Sequence, residues 1–79
     1  MPANESRRKA ILRIIANFTN TKGYPPALAE IARVLRVSIH TIYYYVRVFL
    51  KLGFVNHQPH KPRDLRLTEA GRVYASVAE

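Results

Sequence analysis

Four residues in the stretch HTIYYYVRVFLKLG (40–53), namely His40, Tyr44, Arg47 and Lys51, gather on one side of a helix that turns about 100° per residue. The Arg47 guanidinium can donate a fork of hydrogen bonds to a guanine edge or a phosphate, and imidazole can address either. A tyrosine ring packs on sugars and thymine methyls while its hydroxyl donates to a phosphate oxygen. That chemistry gives Tyr44 a use outside a core, and Tyr43 too, on the flank beside Arg47. Two plainer readings stand beside these: Arg47 as a solvated helix charge, and Tyr43 packed laterally on a neighbouring hairpin or second subunit. Further on, His57, His60, Lys61 and Arg63 surround two prolines that stiffen the segment and lower the entropy of ordering it on contact. Lys61 and Arg63 are the expected phosphate contacts. The spacing of His57 and His60 suits a metal, but no carboxylate or cysteine completes a set, so neither metal nor cofactor is expected.

Thirteen Lys and Arg against five Asp and Glu give a formal charge of +8 on 79 residues, a balance that favours polyanionic partners. A chain this short predicts a single domain, 1–79, with little room for an enclosed active site. The acidic residues Glu5, Glu30, Asp64, Glu69 and Glu79 are scattered, and no phosphate loop or nucleophile motif is present, so catalysis is not expected. The absence of cysteine removes disulfides and thiolate sites. No apolar run approaches the roughly 20 residues of a membrane span, and the start MPANESRRKA lacks a signal-peptide core. The expected location is cytoplasmic, at the nucleoid, with no membrane partner.

The elements that must position these residues follow from apolar spacing. Ile11, Ile14, Ile15 and Phe18 predict a first helix over 6–19, capped by Asn4 or Ser6 and ended by the loop TNTKG. Leu28, Ile31, Ala32 and Leu35 predict a second over 26–35, with Pro26 in its first turn. Ser38 then caps a third over 39–52, in which Ile42, Val46, Phe49 and Leu50 face inward and Tyr45 leans toward them. Gly53 closes it. FVNH and DLRL predict a hairpin over 54–67, and Thr68 caps a last helix over 69–78 with an apolar stripe of Ala70, Val73, Tyr74 and Val77. Arg7, Arg8 and Lys9 would sit against the positive end of the first helix, where a phosphate or plain solvation would favour them.

Three helices, a tight turn between the second and third, a hairpin and a closing helix make a mainly α fold with a small β-hairpin. That order resembles the winged helix-turn-helix family. GYPP, AEIARVL, Ser38 with Thr41 and Ile42 after it, and LKLGFV are similar to the DNA-binding domain of LexA-type repressors, and LRLTEAGR is similar to MarR-type regulators. Arg36 stands at a turn position where the family often has glycine, and a left-handed conformation there costs roughly 1 kcal/mol. Nothing in the chain resembles the self-cleaving domain of LexA itself, so that activity is not carried over.

The resemblance implies a sequence-specific regulator of transcription that binds double-stranded DNA. The third helix would enter the major groove, and the hairpin, or wing, would touch the backbone or an adjacent groove. It implies that Ser38, His40, Thr41, Tyr43 and Tyr44 lie near DNA, with Arg47 further along the helix. A homodimer on two half-sites about 34 Å apart is the expected assembly, with Tyr74, Val77 and Ala78 as spare apolar residues. Two other classes remain open: a protein-interaction module built on Tyr43, Tyr44 and Val48, and a binder of RNA or DNA without sequence choice.

Overall fold

The computed structural model describes residues 2–57 and 65–76. Its elements, in order, are α1 (Pro2–Lys22), α2 (Leu28–Leu35), α3 (Ile39–Leu52), β1 (Val55–Asn56), β2 (Arg66–Leu67) and α4 (Glu69–Ser76). This is a winged helix-turn-helix. α1 packs on α4, α2 and β2, α3 packs on α2 and β1, and the two strands pair antiparallel with Val55 opposite Leu67 and Asn56 opposite Arg66. The core joins Ile11, Leu12 and Ile15 of α1 to Ile31 of α2, to Ile42 and Phe49 of α3, and to Val55 and Leu65 of the wing. Each such side chain, fully withdrawn from water, contributes about 1.5–3 kcal/mol of transfer free energy.

Several boundaries differ from those expected. α1 starts at Pro2, so Asn4 and Ser6 lie inside the helix and cannot cap it. It also runs through most of TNTKG: Thr19 Oγ1 donates to the Ile15 carbonyl at 2.8 Å, which settles a β-branched polar residue within the helix. Gly23, at φ 85°, makes the break. Pro26 is not in the first turn of α2; it is buried ahead of it, and Ala27 is the N-cap. The Glu30 carboxylate accepts from the Ala27 amide at 2.8 Å, satisfying an end that alanine's side chain cannot.

α2 and α3 end in the same hydrogen-bond pattern. Val37 N donates to the Ala32 carbonyl at 3.1 Å and Phe54 N to the Phe49 carbonyl at 2.8 Å. The left-handed residue is Arg36 at φ 58° in the first case and Gly53 at φ 76° in the second.

In α4 part of the expected apolar stripe is turned outward. Ala70 and Val73 are exposed, Val73 at 53%, while Gly71 and Ala75 are buried. The cause is a close approach: a Cβ on residue 71 would run into the Phe54 carbonyl, so only glycine lets α4 sit on the wing. Thr68 caps the helix as expected, accepting from Gly71 N at 3.1 Å, and its hydroxyl also donates to the Gly53 carbonyl. Tyr74 stacks on Phe54 at 4.6 Å and is half-buried inside the molecule, and Val77 and Ala78 lie outside the described residues. Lys9 is 4% exposed, 3.9 Å from Glu5 and 5.5 Å from the centre of the Tyr74 ring. It is spent within the fold rather than held for a phosphate. Burial raises the Tyr74 pKa above 10.0, the Glu5 carboxylate raises it further, and the Arg8 guanidinium partly opposes both. Because the folded chain prefers the neutral phenol, this contribution to stability is complete below pH 10 and is lost as pH rises through the raised value.

Candidate nucleic-acid interface

α3 is held by its inner face. Ile42, Tyr45, Val46 and Phe49 are buried, with Tyr45 lying 6.2 Å from Phe49 between ring centres. Its entry is set by Ser38, in extended conformation at φ −72° and ψ 155°, whose hydroxyl accepts from Thr41 N at 3.3 Å and lies 3.2 Å from the Thr41 hydroxyl. Such a cap is worth about 1 kcal/mol. It also occupies the hydroxyls of Ser38 and Thr41 with each other, leaving the remaining lone pairs and one proton for an outside partner.

With those anchors in place the outer face follows. His40, Tyr43, Tyr44, Arg47 and Lys51 are all exposed, Tyr43 at 47% and Tyr44 at 56%. The His40 and Tyr43 rings lie 6.3 Å apart, and the Tyr44 ring stands edge-on to Tyr45 at 5.4 Å. The YYY run therefore divides between solvent and core, with Tyr45 propping Tyr44 from beneath. A groove of about 510 Å³ runs along this face, and His40, Tyr43, Tyr44 and Arg47 line it together with His57 at the base of the wing. His57 Nδ1 is sealed from solvent with no hydrogen-bond partner among the described residues. Lys51 lies further along α3, and His60, Lys61 and Arg63 lie outside the described residues.

Leu50 departs from its expected place. It is 42% exposed and lines the same groove, as does Leu28 from the start of α2. Its position on the wheel is next to Val46, at the end of the stripe away from Phe49, and the buried arc of α3 is narrower than the apolar arc of its sequence, so that edge is left in the open. The groove thus has apolar walls between its cationic and aromatic groups, a mixture suited to a surface offering both phosphates and methyl groups. Among the described residues no helix is long and apolar enough to cross a membrane.

Comparison with known proteins agrees with this architecture. The family model described as LexA DNA binding domain matches residues 3–64. A LexA repressor of Lactiplantibacillus plantarum is 36% identical over 69 residues, covering 86% of this chain and 33% of the repressor. That of Lacticaseibacillus casei is 35% identical over 78 residues, covering 98% and 38%. One from Cellvibrio japonicus is 35% identical over 66 residues, covering 82% and 33%. The chain spans about a third of the length of these relatives, the part that holds the match. On the matched span and the fold together, the chain belongs to the LexA DNA-binding-domain family.

Proposed function

We propose that the chain binds double-stranded DNA with sequence preference, as the DNA-reading part of a transcriptional repressor. α3 enters the major groove and the wing lies on the backbone or the adjacent groove. The observation that carries this reading is the groove itself: Arg47, Tyr44 and His40 stand on the outer face of a helix locked by its inner face, and His57 of the wing joins them in one concavity. In this reading Arg47 addresses a base edge or phosphate, and Tyr43 and Tyr44 pack on sugars and thymine methyls. Ser38, Thr41 and Lys51 contact phosphates, as do His60, Lys61 and Arg63 of the wing. The net charge of +8 and the family support it.

The chain acts as a homodimer on an inverted repeat. Ala70 and Val73, turned outward on α4, support a self-association face better than Tyr74, which is used internally. Selection of preferred duplexes from a random pool tests specificity and symmetry together: an enriched inverted repeat is expected, and a pool that stays random after selection would refute the reading. Analytical ultracentrifugation at micromolar concentration, with and without the selected duplex, tests the dimer. A monomer in both cases removes it without touching DNA binding.

One observation favours a second reading. Leu50, Tyr43 and Tyr44 put a good deal of apolar surface in the groove, as a protein-docking platform would. Salt separates the two: phosphate binding predicts that log affinity for duplex falls by about 0.9 per phosphate neutralised for each unit of log salt.

A further inference from the structure

On the far side of the wing a second concavity is walled by α1, β2 and α4, and it shares no residue with the α3 groove. It has two parts, of about 460 and 180 Å³, that meet at Ala16, Leu67 and Arg72 and so run on from one another. Along the α1 wall Arg13, Ala16, Asn17 and Asn20 follow one another at positions i, i+3, i+4 and i+7, with Ile15 and Thr19 beside them. Ala16 at the centre keeps the floor open, and Leu67 and Ala75 make it apolar. Arg66 comes from β2 and Arg72 from α4.

These cations are not equally committed. Arg13 Nε donates to the Ala75 carbonyl at 2.8 Å, tying α1 to α4, so it serves the fold first. Arg72 is held by an exposed pair with Glu69 at 3.4 Å and a long bond to the Leu67 carbonyl at 3.5 Å, a type of contact that gives way readily to a competing carboxylate. The Arg66 side chain is exposed and makes no hydrogen bond or ion pair with the described residues.

We propose that this groove is a docking site for an acidic, extended segment of a partner protein. Its carboxylates would meet Arg66 and Arg72, its backbone the carboxamides of Asn17 and Asn20, and its apolar side chains the floor. From Arg13 to Asn20 is about 10 Å of helix, the length of roughly three residues of extended chain. The apolar floor is wasted on a phosphodiester backbone but suits a carboxylate carried on a methylene stem among apolar neighbours. A second copy of this chain is a poor occupant, because its own net charge is +8. Two of its five acidic residues are also engaged already: Glu5 with Lys9, and Glu30 at the start of α2.

The test is a titration of the ¹⁵N-labelled 79-residue chain with an acetylated, amidated octapeptide alternating Glu and Ala, alone and with the selected duplex bound. Saturable shifts at Ala16, Asn17, Leu67 and Arg72 are expected, persisting in the presence of duplex. Arg66→Gln with Arg72→Gln should weaken the peptide at least about tenfold, the scale of lost charge-assisted hydrogen bonds. The single variant Arg66→Gln, at an exposed position, gives the same direction if the double variant melts early. Shifts at Tyr44 and Arg47 instead, displacement of the peptide by stoichiometric duplex, affinity unchanged in the variants, or no shifts up to millimolar peptide each overturn the proposal. Peptide binding is read without DNA as well as with it, so the proposal can fail while duplex reading stands, and the reverse.

Discussion

On its inner side α3 seals Ile42 and Phe49 completely from solvent, whereas on its outer side Tyr44 keeps 56% of its surface and Arg47 and Lys51 stand free of the core. Both sides carry aromatic rings, so aromatic character alone does not separate them. The difference is what each side has to meet. The inner one faces α1, α2 and the wing, and it decides whether the chain folds. Among the described residues the outer one borders only an open groove, walled by Leu28 and His57, and most of it is left to solvent.

Truncation at the centre of the inner side should break that contrast hardest. Phe49→Ala removes a fully buried ring and should cost about 4 kcal/mol, enough to unfold much of a small domain at ambient temperature; a urea melt measures it. A loss under 1 kcal/mol would mean that the core does not rest on this ring. Arg47→Ala should do the opposite, leaving the melt within about 0.5 kcal/mol of the parent while weakening the selected duplex by about 1–3 kcal/mol and relaxing its sequence preference. If it lowers the melt and leaves binding alone, the outer side has been misassigned.

Leu50 sits at the border and sharpens it. At 42% exposure, Leu50→Ala should cost no more than about 1 kcal/mol in stability, and denaturation by urea showing 2–5 would place it with the inner set. The smallest effect belongs to Lys51→Ala, expected to leave base preference intact and reduce the slope of log affinity against log salt by about 0.9, one phosphate's worth, in a fluorescence-anisotropy series.

The division of α3 was legible because a 14-residue helix samples nearly four turns, long enough for the phase of the apolar pattern to be read from Ile42, Val46 and Phe49. Ser38 and Thr68 were legible as caps because a hydroxyl before an apolar run has few other uses. α4 was not, because eight residues give two turns, and Ala70–Val73 and Gly71–Ala75 are equally periodic. What chose between them was the approach of Gly71 to the Phe54 carbonyl, a long-range contact whose trace in the sequence was a glycine inside a helix. Leu12 was missed for a related reason: α1 is covered by α4 as well as by α2, so its buried arc is wider than the minimal stripe of Ile11 and Ile15. Of the expected DNA contacts, Tyr43, Tyr44, His40, Arg47 and His57 meet in one groove, a convergence that spacing along α3 could not foretell for the wing residue.

The turn at Arg36 carries a practical consequence. Since Gly53 makes the same hydrogen bonds without steric penalty, the molecule runs with an unclaimed thermal margin: Arg36→Gly should raise the melting temperature by a few degrees, the equivalent of about 1 kcal/mol in a chain of this size. Any duplex affinity lost in that exchange would measure what one more cation beside α3 contributes to binding.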